Sequence, residues 1–213
     1  MRLEKSLLLA AIAVPWLYFG NLLISALFYP GYSHITQYAS ELGGPDAPIP
    51  ALFNTGVILV GAAGIAAGLG FFLALRRLTN TILLSLGLGL CVSLFGLSLV
   101  LGGVFPMPDE RHGGYGLGFG IHLGPVLLAL ALRQHKTLRA LNPYLIITAL
   151  LFVTMFAIMM GVGGLVTRAN VGIFQRLYAL CMFPWIGVAG YYLNRQLRLP
   201  ASAAPSFGLE PAV

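Results

Sequence analysis

A chain of 213 residues that is 58% hydrophobic and 8% charged, with a mean hydropathy of +0.89, carries more apolar surface than a water-soluble domain of that length can bury. Its formal charge of +6 does not mark a nucleic-acid binder, because the basic residues are scattered over short segments instead of gathered on one surface. What remains is an integral membrane protein with no soluble domain of any size.

Six apolar stretches follow one another, at about residues 7–29, 51–75, 81–104, 116–132, 143–165 and 172–193. A spanning helix needs roughly 20 such residues, so each stretch predicts one span. The first is longer than the apolar segment of a signal peptide and has no small-residue exit before Tyr29-Pro30, so it is expected to persist as a helix. The longest connection, 30–50, comes next. Within it, 33–42 predicts a short amphipathic helix lying in the membrane interface. Ile35, Tyr38, Ala39 and Leu42 share one helical face, and His34, Gln37 and Glu41 share another. Ser33 suits its start and Gly43 its end.

Asn54 lies just inside the second stretch, and Gly61, Gly64 and Gly68 crowd its middle. Small residues at such spacing let two helix backbones approach closely. Asp109, Glu110, Arg111 and His112 follow the third stretch. Gly116, Gly120 and Gly124 recur every four residues at the start of the fourth, which also carries His122. Gln175 and Arg176 open the sixth. Pro15, Pro125 and Pro184 fall inside spans and should kink or open them. Cys91 and Cys181 also fall inside spans, as buried small apolar side chains and not as a disulfide. The tail 200–213, rich in Ala, Pro and Ser, is expected to be a disordered cytoplasmic segment after a six-helix transmembrane domain covering 1–199.

The connections alternate in charge. Arg2, Lys5, Arg76, Arg77, Arg133, Lys136, Arg139, Arg195 and Arg198 lie on one side, and Arg111, Arg168 and Arg176 on the other. The positive-inside bias places both termini in the cytoplasm of a protein integral to the cell membrane, and an even number of spans requires the same. The inner basic residues anchor this topology and meet anionic membrane lipids.

The ionisable and polar residues that do not set topology collect at the opposite, extracytoplasmic ends of the helices: His34, Glu41, Asn54, Asp109, His112, His122, Gln175 and Arg176. Such groups near membrane depth face a partner or a wet cavity. Three readings stay open. His112 and His122, with Asp109 or Glu41, would suit zinc and a metal-assisted hydrolase. A continuous helix, however, would hold those histidines about 15 Å apart, so Gly113-Gly114 would have to fold His112 back. Alternatively, Arg176 presents a planar fork to a phospholipid headgroup, with the histidines adding hydrogen bonds. In the third reading Arg176 pairs with Glu41 or Asp109, His122 bonds to Asn54 or a backbone carbonyl, and the cluster merely locks loops to the bundle. No Gly-x-Ser-x-Gly elbow, phosphate loop or dinucleotide fingerprint is present.

The run from Ser33 to Gly43 (SHITQYASELG) resembles the early loop motif of a six-helix membrane family, domain of unknown function 998. Phe53-Asn54, Gly103-Val104-Phe105-Pro106 with Asp109, the pair His112 and His122, and Gln175-Arg176 continue the resemblance in order. It implies the six-span plan and a patterned set of polar residues at one rim, but no activity.

The expectation is therefore an all-α six-helix bundle with both termini inside. A polar pocket opens outward, roofed by 33–42 and floored by His122, Asn54 and Arg176, and binds a lipid headgroup or small amphiphile. The alternatives are a metal-dependent lipid hydrolase and a passive subunit, either as a homo-oligomer or with a membrane partner.

Overall fold

In a bilayer every backbone amide must find its partner inside its own segment, so apolar stretches become helices. The computed structural model describes residues 3–199. It contains α1 (Leu3–Leu27), α2 (Pro50–Leu78), α3 (Ile82–Val104), α4 (Gly124–Leu132), α5 (Asn142–Met159), α6 (Val171–Met182) and α7 (Pro184–Arg198), and no strand among the described residues. Arg2 and the tail 200–213 lie outside the described residues.

With the 3-10 runs that precede α4 and α5, and with α6 and α7 meeting at a bend at Phe183, these helices make six stretches long and apolar enough to cross a membrane: Leu3–Leu27, Pro50–Leu78, Ile82–Val104, Glu110–Leu132, Leu138–Met159 and Val171–Arg198. They fit an integral membrane protein. Leu59, Leu83 and Leu150 stand exposed on the outer faces, as lipid-facing side chains should.

Proline sets four of the helix starts. Pro50, Pro125, Pro143 and Pro184 all occupy the first turn of their helices, where the missing N–H has no intrahelical partner to lose. Pro125 and Pro184 thus open α4 and α7 after a break in the span, whereas Pro15 lies within the unbroken α1. The fifth span stops at Met159, earlier than expected, because Gly161 (φ 94°), Gly163 (φ 79°) and Gly164 (φ 61°) turn the chain left-handed.

The glycines of α2 pack as their spacing predicts. A Cβ on Gly96 of α3 would lie 2.5 Å from the backbone nitrogen of Ile65 and 2.6 Å from the carbonyl of Gly61. Gly68 approaches the carbonyl of Gly89 in the same way, 2.5 Å from its own missing Cβ. The fourth span behaves differently. Gly114, Tyr115 and Gly116 take φ of 57°, 53° and 75°, a left-handed interruption that no α-helix accommodates. The helical glycine stripe expected from Gly116 therefore does not form, and Glu110–Leu123 is 3-10 helix. Gly120 and Gly124 still serve packing, against Cys91 Sγ and the Trp185 ring.

The main core is built around Trp185, which is fully buried and stacked on Phe71 with ring centroids 6.3 Å apart. Leu8, Leu75, Leu88, Leu128, Leu132 and Phe183 surround them. A smaller cluster of Leu22, Ala39, Leu42, Phe53 and Val57 lies under the connection between α1 and α2. Cys91 and Cys181 are free thiols.

Candidate functional site

The connection 28–49 does not form the interfacial helix that its pattern suggests. A turn at 34–36 is followed by a 3-10 helix, Ala39–Gly43. Ala39 and Leu42 are buried, but their intended companions Ile35 and Tyr38 are exposed, Ile35 by 57%. The reason is competition for the backbone. In an α-helix the amides of Tyr38 and Ala39 would donate to carbonyls four residues back. Instead Tyr38 N–H donates to Glu41 Oε1 (2.7 Å) and Ala39 N–H to Gln175 Oε1 (2.7 Å). The carbonyl of Ile35 accepts from the amide of Ile173, and that of Gln37 from Arg176 Nη1 at 2.6 Å.

The first turns of α6 therefore replace the loop's own ladder. Gly172 makes this approach geometrically feasible: a Cβ there would lie 2.6 Å from the Gln37 carbonyl and 2.7 Å from that of His34. Arg176 also donates to the Gly172 carbonyl (3.0 Å) and, through Nη2, to the Tyr32 hydroxyl. Its Nε is buried with no partner among the described residues. Glu41 accepts from Gln37 Nε2 (3.1 Å), and the expected ion pair of Arg176 with Glu41 or Asp109 is not made. His34 sits edge-on to Tyr32, centroids 5.1 Å apart. Burial, then the charge of Arg176, lowers its pKa below 6.5. The charged ring is disfavoured in the docked loop, so docking is fully supported above pH 6.5 and weakens as pH falls below it. Burial raises the Tyr32 pKa, partly offset by Arg176.

The remaining expected residues do not gather into one site, although Asn54 and Asp109 line a common groove between the end of the loop and the end of α3. Asn54 Nδ2 donates to the Gly43 carbonyl (3.0 Å) and fastens the end of the loop to α2. Asp109 binds Arg111 through both carboxylate oxygens, at 2.9 and 2.6 Å, and these hydrogen bonds lower its pKa to about 2. The left-handed break after Gly113 does turn the chain, but His112 lands on the end of α3. Its Nδ1 lies 3.1 Å from the Gly102 carbonyl and 3.0 Å from that of Phe105. Carbonyls only accept, so that nitrogen carries the proton. His122 Nδ1 likewise faces the Phe119 carbonyl (2.8 Å), and its Nε2 meets the Tyr178 hydroxyl at 2.6 Å. Its ring stacks on Phe152 with centroids 4.3 Å apart. Of the two partners expected for His122, a backbone carbonyl is met and Asn54 is not, and the ring shares no site with His112. No group of three His, Cys, Asp or Glu side chains gathers as metal ligands among the described residues, so the set His112, His122 and Asp109 is not assembled.

Under the docked loop lies a cavity of about 290 Å³. Phe53, Val57 and Leu99 give it apolar walls, and Tyr18, Ser40, Ser98, His112 and Gln175 bring polar groups to its lining. Of the expected pocket residues, His112, Gln175 and the roof at Ala39-Ser40 line it, whereas Asn54, His122 and Arg176 do not.

The six spans are the plan that the sequence motifs implied, and the family's sequence model matches residues 11–192. The chain belongs to the family described as protein of unknown function DUF998. No curated protein and no solved structure matches it.

Three further residues of this DUF998 chain matter that the sequence reading passed over. Tyr32 accepts from Arg176, Tyr178 donates its hydroxyl to His122 Nε2, and Asn21 of α1 donates to the Phe53 carbonyl of α2 (3.0 Å). Asn21 left a legible signal, a lone amide inside an apolar span, because such a group needs a neighbour in lipid. The tyrosines left none, since tyrosine is common at membrane rims.

Proposed function

We propose that this DUF998 protein is a membrane-embedded binding protein for a small neutral amphiphile, held in the cavity beneath the docked loop. One observation supports the reading: a space of about 290 Å³ with apolar walls and a few uncharged polar groups, at the low end of the roughly 300–1,000 Å³ typical of small-molecule sites. An anionic headgroup suits this cavity poorly. Arg176 does not line it, and its guanidinium donates to Gln37, Gly172 and Tyr32. Ser40 and His112 suit a hydroxyl or carbonyl better than a charge.

The test fills the cavity without removing a polar group. Val57 is buried on the rigid α2, and Val57→Trp extends into the space. Wild-type protein extracted with its surrounding lipid in polymer discs should carry one neutral amphiphile per chain by mass spectrometry, and Val57→Trp should lose it with its thermal midpoint unchanged or higher. An identical complement in both, or none in the wild type, would refute the reading.

The charge bias of the connections further supports a cytoplasmic basic end, with the cavity facing outward. A reporter active only in the cytoplasm, fused at the C-terminus, should be active. Activity of an exported-only reporter there would invert the assignment.

A further inference from the structure

A second cavity, of about 320 Å³, lies at the opposite, basic end of the bundle, between the α2–α3 and α4–α5 connections. Its lining is polar and basic, unlike that of the first. Arg77 reaches it from the last turn of α2, Asn80 and Thr81 from the entry to α3, and Arg133, Gln134 and His135 from the exit of α4.

The donors outnumber their acceptors. Arg77 gives Nη1 to Glu4 at 2.6 Å, but Arg133, Gln134 and Asn80 have no side-chain partner among the described residues. Leu138 N–H donates to His135 Nδ1 (3.2 Å), which leaves Nε2 to carry the ring proton and adds another donor. The distribution of acidic residues explains the excess. Glu41, Asp46, Asp109 and Glu110 all lie in the connections at the far end, and Glu4 is the acidic residue described at this one. The first turn of α3 opens here with a dipole of the same sign as the arginines, but α2 and α4 end here with the opposite sign, so the attraction for an anion comes from the side chains and not from the helix ends.

We infer that this cavity is a binding site for a phosphate-bearing anion, formed by Arg77 at the end of α2 and Arg133 at the end of α4, with Asn80 and Gln134 also in its lining. The two cations come from different walls. A carboxylate fills one guanidinium fork, whereas the several oxygens of a phosphate can serve both. The volume admits a phosphate with its ester linkage, and Leu130 and Ala131 of α4 supply an apolar side. The phosphate can arrive on a lipid headgroup or free in solution. The site is independent of the outer cavity and of its proposed ligand.

The experiment uses the full chain in maltoside micelles at fixed ionic strength and reads its thermal midpoint. One arm titrates inorganic phosphate, the other dioleoyl phosphatidate doped into the micelles. Arg133→Gln removes a cavity charge that no described residue needs for folding, whereas Arg77 is unsuitable because it also holds Glu4. Arg139→Gln removes an exposed charge of the same rim that does not line the cavity. A saturable rise in midpoint is expected for the wild type and Arg139→Gln, weakened about tenfold or more in Arg133→Gln, as befits loss of a charge-assisted hydrogen bond. A response to both probes identifies a general phosphate site, and a response to phosphatidate alone a lipid headgroup site. A response to neither, an unsaturable one, or equal weakening by both substitutions would overturn the inference.

Discussion

Gly96→Leu is expected to separate α2 from α3 and prevent the bundle from assembling. Helices in lipid associate through close packing and not through exclusion of water, so their backbones must be able to touch. At Gly96 the obstruction to a side chain is backbone: Ile65 nitrogen at 2.5 Å, the Gly61 carbonyl at 2.6 Å and Gly64 carbon at 2.8 Å from the added Cβ. No rotamer change relieves such contacts, so the helices must part along their glycine seam. A loss of about 3 kcal/mol is expected, toward the upper range for overpacking. It should be read as a collapsed thermal midpoint and loss of the monodisperse peak on size exclusion. Gly20→Leu is the matched control, since a Cβ there meets nothing within 4 Å. If the two variants behave alike, close approach at Gly96 is not what joins α2 to α3.

Arg176→Ala should release the loop while leaving the spans intact. The substitution removes donors to the Gln37 and Gly172 carbonyls and to the Tyr32 hydroxyl. Hydrogen bonds from a charged group contribute about 1.5–3 kcal/mol each, so a local loss of about 3 kcal/mol is expected and amide exchange across 33–43 should quicken about a hundredfold. The Tyr38 and Ala39 amides, now held by Glu41 and Gln175, are the ones to watch. The His34 pKa should rise toward 6.5 as both the burial and the neighbouring charge that depress it are withdrawn. Gly172→Ala should do the same by steric means, because its Cβ would press on the Gln37 carbonyl. Unchanged exchange in both variants would show that burial of Ala39 and Leu42 alone holds the loop.

The six spans were legible because membrane insertion is close to a sum over single residues: each apolar side chain favours lipid regardless of its neighbours in the fold. The α2 glycines were legible for a related reason, since a missing Cβ has little use in a span except to admit another backbone. The motif residues Gln175 and Arg176 were recognised as a pair before their task was known. Their task was settled by partners roughly 140 residues away. Periodicity alone makes 33–42 an amphipathic helix. Gln175 and the α6 backbone offer its amides and carbonyls better acceptors and donors than the helix could. The same distinction governs the histidines. His112 and His122 are plausible co-ligands by type, but Gly102 and Phe105 capture one ring and Tyr178 and Phe119 the other. Composition and local pattern thus determined the membrane environment, the number of spans and which rim is basic. The tertiary structure decided which polar groups meet and where space is left between them, because a hydrogen bond or a cavity belongs to pairs of residues that only folding brings together.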